Sequence, residues 1–152
     1  MKWKDSFFAK GYRFLKYCKY KPLCFKALCC SAYYRLCIRL IKPAKLHKHW
    51  GVQGEESSPE DTRENYRYAY RVAYAVDRIC TRTAWESKCL VRALSAQRLL
   101  KKKGIHSTLY LGCKLEDGKM VAHAWLRVGT MYVTGGNGDG YAVVDKYFSG
   151  HE

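Results

Sequence analysis

No stretch of this chain reaches the ~18 consecutive apolar residues that a membrane-spanning helix needs. The first residues, MKWKDSFFAKGYRFLK, are broken by Lys10, Arg13 and Lys16 before a signal-peptide hydrophobic region can form, and no small-residue cleavage site follows. Those absences predict a cytoplasmic, reducing setting, in which disulfides are rare. Zinc-type spacing is missing as well. Cys18, Cys24, Cys29, Cys30 and Cys37 form no C-x-x-C pair matched by a second pair or by two histidines, so they read as small apolar residues and no metal is predicted. The composition of a disordered chain is absent too: with 48% hydrophobic and 14% aromatic residues, 152 positions suffice for one packed domain, and not for two ordinary ones.

Acidic residues are scarce at one end. Residues 1–50 hold 13 Lys/Arg against the single acid Asp5, whereas residues 51–152 hold 15 against 12. The field of the +15 chain is therefore concentrated in its first third, and such a field attracts polyanions, anionic membrane surfaces or acidic proteins. Nucleic acid is not predicted as a partner, because no recognised motif or stacking module accompanies the charge.

Periodicity divides the chain into a basic helical extension over 1–50 and a domain over 58–152. Two helices are expected at 5–20 and 23–42, separated by Lys21-Pro22. In the second, Leu23, Ala27, Cys30, Tyr34, Cys37, Ile38 and Ile41 recur at three- and four-residue steps. This amphipathic segment packs on the domain, attaches to an anionic membrane surface or docks a partner, and its composition does not choose among the three. GVQGEESS at 51–58 is a polar break. Ser58 as cap and Pro59 as first residue predict the next helix, whose core stripe is Ala69, Val72, Ala73, Val76, Ile79 and Cys80. Ser87 is a plausible cap for a further helix that runs through CLVRALSAQRLLKKK and stops at Gly104.

After Gly104 the period becomes two. Leu109 to Leu115 and Met120 to Val128 alternate about a Glu116-Asp117-Gly118 turn and form a hairpin. Residues 131–134 and 141–148 supply further strands around the loop Gly135-Gly136-Asn137-Gly138-Asp139-Gly140. Helices followed by antiparallel strands make an α+β domain.

The residues with chemistry to offer are Cys89 and His123. A helix N-terminus stabilises a thiolate, and Cys89 sits in the first turn of its helix with Lys88 and Arg92 adding positive potential. Amides of that turn are candidates to receive an oxyanion, with Trp85 lining the same site. His123 shares a strand face with Val121 and Trp125, with Trp125 expected to line the pocket and shield the pair from water, and an imidazole titrating near neutrality is the ordinary base for a cysteine nucleophile. By residue type and spacing alone, a structural cysteine and a half-buried histidine explain the pair as well.

The stretch from Trp85 to Gly136 resembles the free-standing leader peptidases of lasso-peptide biosynthesis, the catalytic half of the B protein in the transglutaminase-like cysteine protease superfamily. Their pattern of Trp, C-L-x-R-A-L, Leu-Leu-x-x-x-Gly, L-x-L-G and A-H-A-W matches at Trp85, Cys89 to Leu94, Leu99 to Gly104, Leu109 to Gly112 and Ala122 to Trp125. The resemblance implies a papain/transglutaminase-like core, a nucleophile helix packed on an antiparallel sheet, with no cofactor. It also implies a Cys-His-Asp triad that removes the leader from a ribosomally made precursor whose penultimate leader residue is Thr. Further expectations are a separate precursor-recognition protein and an ATP-dependent macrolactam synthetase that receives the core peptide. Cys89 and His123 take the first two triad roles. The third is open, because Met131 to Gly136 holds no carboxylate; Asp139 is the nearest acid, Asn137 the alternative amide, and Asp145 more distant. The competing functions are acyl transfer to an amine on the same fold, and non-enzymatic binding of a membrane or partner by the basic segment.

Overall fold

A computed structural model describes residues 18–150 apart from Ala84 and Glu86, and apart from the side chains of Pro43 and Ala44. The helix expected at 5–20 lies largely outside those residues. Four α-helices are described: α1 (Lys21–Leu40), a single turn α2 (Pro43–Leu46), α3 (Arg63–Cys80) and α4 (Cys89–Lys101). The strands are β1 (Val52–Gln53), β2 (Ser107–Glu116), β3 (Lys119–Val128), β4 (Met131–Thr134) and β5 (Ala142–Ser149). They form one sheet in the order β1-β5-β2-β3-β4, every neighbour antiparallel. The fold is α+β.

Helix α4 is the centre of the molecule. Val91, Ala93, Leu94, Ser95, Ala96, Gln97, Leu99 and Leu100 are all buried, so the helix is enclosed nearly all round, as its weak polar face requires. It packs on β2, β3 and β4 on one side and on α1 and α3 on the other. Leu23, Cys24, Ala27, Cys30 and Cys37 of α1 enter the same core as Ala69, Val72, Val76 and Ile79 of α3 and Leu109, Ala124, Leu126, Val128 and Tyr147 of the sheet. The domain therefore shares its core with a helix from the basic first third.

Several boundaries differ from the expected ones for identifiable reasons. Lys21-Pro22 opens α1 and does not precede it, because a proline in the first turn removes only an amide that has no intrahelical acceptor. The cap of α3 is Thr62, whose Oγ1 accepts from the Asn65 amide at 3.2 Å, while Asp61 Oδ1 accepts from Asn65 Nδ2 at 2.6 Å. Ser58 instead accepts from the Glu60 amide in a turn. Lys88 takes the cap position of α4 without a side-chain hydrogen bond, one residue beyond Ser87. Cys18 and Cys24, read above as separate apolar residues, are joined in a disulfide, and the other six cysteines are free.

GVQGEESS is more than a break. Val52 and Gln53 pair with Phe148 and Tyr147 as the edge strand β1, and the following residues lie across the sheet. Ser57 donates its amide to Thr108 Oγ1 at 2.7 Å, and its carbonyl accepts from Arg127 at 3.1 Å. Glu56 bridges Lys146 at 2.7 Å and Arg127 at 3.2 Å. The Lys146 hydrogen bond is the main reason that the Glu56 carboxyl lies below its ordinary value of 4.5. A lowered carboxyl stabilises the folded state fully above its unfolded pKa and loses that contribution as pH falls through the folded value. Wild type should therefore lose more thermal stability than Glu56→Gln between about pH 6 and about pH 3, with added salt narrowing the gap at this half-exposed site. Thermal melts of both proteins across that range test it.

Candidate active site

Two glycines make room for the aromatic cluster that surrounds His123. The β2–β3 register sets Gly112 opposite His123 and Tyr110 opposite Trp125. A Cβ on Gly112 would lie 2.7 Å from the Trp125 ring, and one on Gly138 would lie 2.5 Å from it, so the indole occupies space that only glycine leaves open. Trp125, 3% exposed, is stacked between Tyr110 at 5.5 Å and His123 at 5.8 Å. Tyr141 closes on the imidazole at 4.8 Å. The rings hold the plane of the half-buried imidazole.

His123 Nε2 donates to the main-chain carbonyl of Gly135 at 2.6 Å. That bond places the ring proton on Nε2 and leaves Nδ1 as the acceptor nitrogen. Gly135 follows β4 with a φ of +76°, and a Cβ there would come within 2.4 Å of the Ala124 carbonyl. Only glycine can bring its carbonyl to the imidazole in this way.

The acids considered for the third role are engaged elsewhere. Asn137 Nδ2 donates to Asp139 at 2.7 Å, and the Asp139 amide returns a bond to Asn137 Oδ1 at 3.2 Å, a self-closed turn. Asp145 accepts from Tyr147 at 2.6 Å, from Gln53 at 2.7 Å and from the Lys146 amide at 2.9 Å. Burial pushes that carboxyl up, but these bonds outweigh it and hold Asp145 below the ordinary value; burial and then Asp145 push Tyr147 up to about 12. None of the three makes a hydrogen bond to His123.

Cys89 is the first residue of α4 and is half-buried. The amides of Cys89, Leu90 and Val91 have no intrahelical acceptor by helix geometry; the Arg92 amide is the first to bond back, to Lys88 at 3.1 Å. These amides and the positive helix end form the polar environment of the thiol. The thiol is not hydrogen-bonded to His123 among the described residues.

Arg92 fixes the approach to this turn. Its Nε donates to the Ser87 carbonyl at 3.1 Å and its Nη1 reaches Asp77 of α3 at 3.1 Å. Thr83 holds the same loop through Ser87 Oγ at 3.3 Å and the Trp85 carbonyl at 3.2 Å. Trp85 is half-buried, and its indole N–H is shielded with no acceptor among the described residues. A cavity of about 260 Å³ is lined by Asp77, Arg92, Val133, Thr134, Gly135 and Gly136 among others. Of α4 only Arg92 lines it, together with Gly135, whose carbonyl accepts from His123; Cys89 and His123 themselves are not among its lining residues. The Arg92–Asp77 pair is too exposed to add much stability, so Arg92→Ala should shift the melting free energy by less than about 1 kcal/mol. Activity should fall by about tenfold or more, as the Cys89 turn loses its anchor. Parallel melting curves and turnover measurements separate the two effects.

Sequence reasoning missed the Gly135 carbonyl, Tyr110 and Tyr141. A Gly-Gly pair directly after a short strand was the visible signal for the first. The tyrosines left no signal, because their contacts depend on the sheet register and on the path of the 135–141 loop.

A helix that opens with a cysteine and packs centrally on an antiparallel sheet bearing a histidine defines a cysteine-protease-like class of α+β fold. Residues 37–146, the greater part of the chain, match the transglutaminase-like superfamily, and the chain belongs to it. No curated protein and no solved structure matches it. Among the described residues no helix is long and apolar enough to cross a membrane, and no cluster of three or more His, Cys, Asp or Glu side chains is suited to a metal ion.

Proposed function

We propose that this protein is a cysteine peptidase that removes the leader from a ribosomally made lasso-peptide precursor, together with a separate recognition protein. What supports the chemistry is that Cys89 opens the central helix α4 while the Gly135 carbonyl accepts from His123 on the sheet it packs against, with Arg92 of that helix and Gly135 lining one cavity. The lasso assignment rests on the C-L-x-R-A-L and A-H-A-W resemblance.

In this reading His123 Nδ1 takes the Cys89 proton as the sulfur attacks the scissile carbonyl, and the first-turn amides of α4 receive the oxyanion. The imidazolium returns the proton to the leaving amine, which departs with the core peptide. A thioester joins the leader to Cys89. Water, deprotonated by the same nitrogen, hydrolyses it and frees the leader carboxylate. Throughout, Nε2–H stays on the Gly135 carbonyl and keeps the ring in the plane set by Trp125 and Tyr141.

The test is to incubate the protein with a cognate precursor and its recognition protein, and to weigh the products. A leader ending in a free carboxylate supports the peptidase. A leader joined to an added amine assigns the site to acyl transfer, and an intact precursor with no thioester on Cys89 overturns the enzymatic reading.

A further inference from the structure

Helix α1 is apolar on two sides, and only one of them is used by the core. Its inner face carries Leu23, Cys24, Ala27, Cys30 and Cys37. Its outer face carries Phe25, Cys29, Tyr33, Leu36 and Leu40, at steps of three and four residues that align them along one line of the helix. Phe25 is 56% exposed, Leu36 57% and Leu40 72%, and Ile41, just past the helix end, adds apolar surface at 39%. A continuous stripe of this kind is unusual on a soluble surface and marks an interaction site.

What surrounds the stripe indicates its occupant. Lys21, Lys26, Arg39, Lys42, Lys45 and Lys48 are exposed around it, and residues 18–50 contain no aspartate or glutamate. Beside it opens a cavity of about 490 Å³ that shares Tyr33 and Ile41 with the stripe and is otherwise lined by Arg98, Lys101, Lys102 and Trp50 among others, with no acidic side chain. The Arg98 guanidinium stands 4.9 Å over the Tyr33 ring, at the junction of cavity and stripe. Cations therefore lie along the helix and in a recess at its side, where a laterally extended negative surface meets them all at once. An acidic patch on a folded protein would engage one part of this set.

We infer that the outer face of α1 docks on an anionic phospholipid bilayer, with the apolar stripe lying in the acyl boundary and the Arg98–Lys101–Lys102 cavity receiving a headgroup phosphate. A helix that lies in the interface in this way combines an apolar face with Lys/Arg-rich flanks, and long basic side chains reach the phosphates while their stems stay on the apolar layer. The enzyme is thereby held at a membrane surface without crossing it.

The experiment is co-sedimentation of the full chain with vesicles. Wild type should sediment with equimolar phosphatidylglycerol and phosphatidylcholine, remain in solution with phosphatidylcholine alone, and release as salt is raised. The Leu36→Glu/Leu40→Glu variant, altered only at exposed positions, should lose sedimentation even at low salt. Arg98→Gln, Lys101→Gln and Lys102→Gln should weaken it by roughly fivefold for each charge removed. Failure of wild type to sediment with the mixed vesicles overturns the inference, as does a double Glu variant that binds like wild type. Soluble glycerol phosphate that binds as tightly as the vesicles would reassign the cavity to free phosphate esters. Loss of precursor processing by the double Glu variant in lipid-free solution would reassign the stripe to a protein partner.

Discussion

Under the proposed function, Cys89→Ala should abolish precursor cleavage, lowering turnover by at least about 10³-fold, and should leave the melting temperature close to that of wild type. The two halves of that result have separate causes. Alanine is the best helix former, and Cys89 opens α4 at a half-buried position without a hydrogen bond to His123, so little packing is lost. Sulfur, in contrast, is the atom that the proposed mechanism requires to form the thioester. His123→Ala should match the loss, and the double variant should be no slower than either single one, because the two groups act as a unit. Assays of the three variants on the same precursor decide the matter: cleavage that survives in Cys89→Ala would remove the residue from the mechanism. Cys80 is a useful internal contrast. Burial pushes its thiol up, so an alkylating reagent at neutral pH should reach Cys89 well before Cys80.

The second large effect is on stability. Arg127, 9% exposed, spends its guanidinium on four partners: Tyr110 Oη at 3.0 Å, the Ser57 carbonyl at 3.1 Å, Glu56 at 3.2 Å and the Gly129 carbonyl. Arg127→Leu keeps most of the stem volume but leaves two main-chain carbonyls unpaired beneath the 56–57 segment. Each such group costs about 1–3 kcal/mol, so a loss of about 3 kcal/mol is expected. Glu56 adds little to that figure, since its half-exposed carboxylate keeps Lys146. Urea denaturation should show the lower midpoint, and a variant within about 1 kcal/mol of wild type would mean that the segment over the sheet carries no weight. Because Tyr110 stacks on Trp125, the damage should also reach His123.

Much of this architecture was legible because one physical pattern dominated each part. The change from a three-to-four period to a period of two after Gly104 is the end of α4 and the start of β2. Asp117 and Gly118, with φ of 50° and 73°, make the tight turn that their residue types suggest. The positions of Cys89 at a helix start and His123 on a strand were legible from the same change of period. The α3 start was misjudged because Ser58-Pro59 and Asp61-Thr62 both carry cap signals, and only packing selects the later one. The strand β1 was hidden because two residues, Val52 and Gln53, are too few to show a periodicity, and their partners are more than ninety positions away in β5. The group that touches the imidazole was hidden for a different reason: the carboxylates that drew attention, Asp139 and Asp145, are held by other partners, whereas the acceptor at His123 belongs to the main chain.

That last point bears on how the site would respond to mutagenesis. Substitution series remove side chains, and Gly135 has none to remove; every replacement keeps a carbonyl while forcing the backbone off Ala124. An alanine scan of the acids would therefore report a two-residue site. The oxygen that receives the His123 Nε2–H also has no proton of its own to gain or lose across the accessible pH range, so acidification cannot remove this contact by protonating the acceptor.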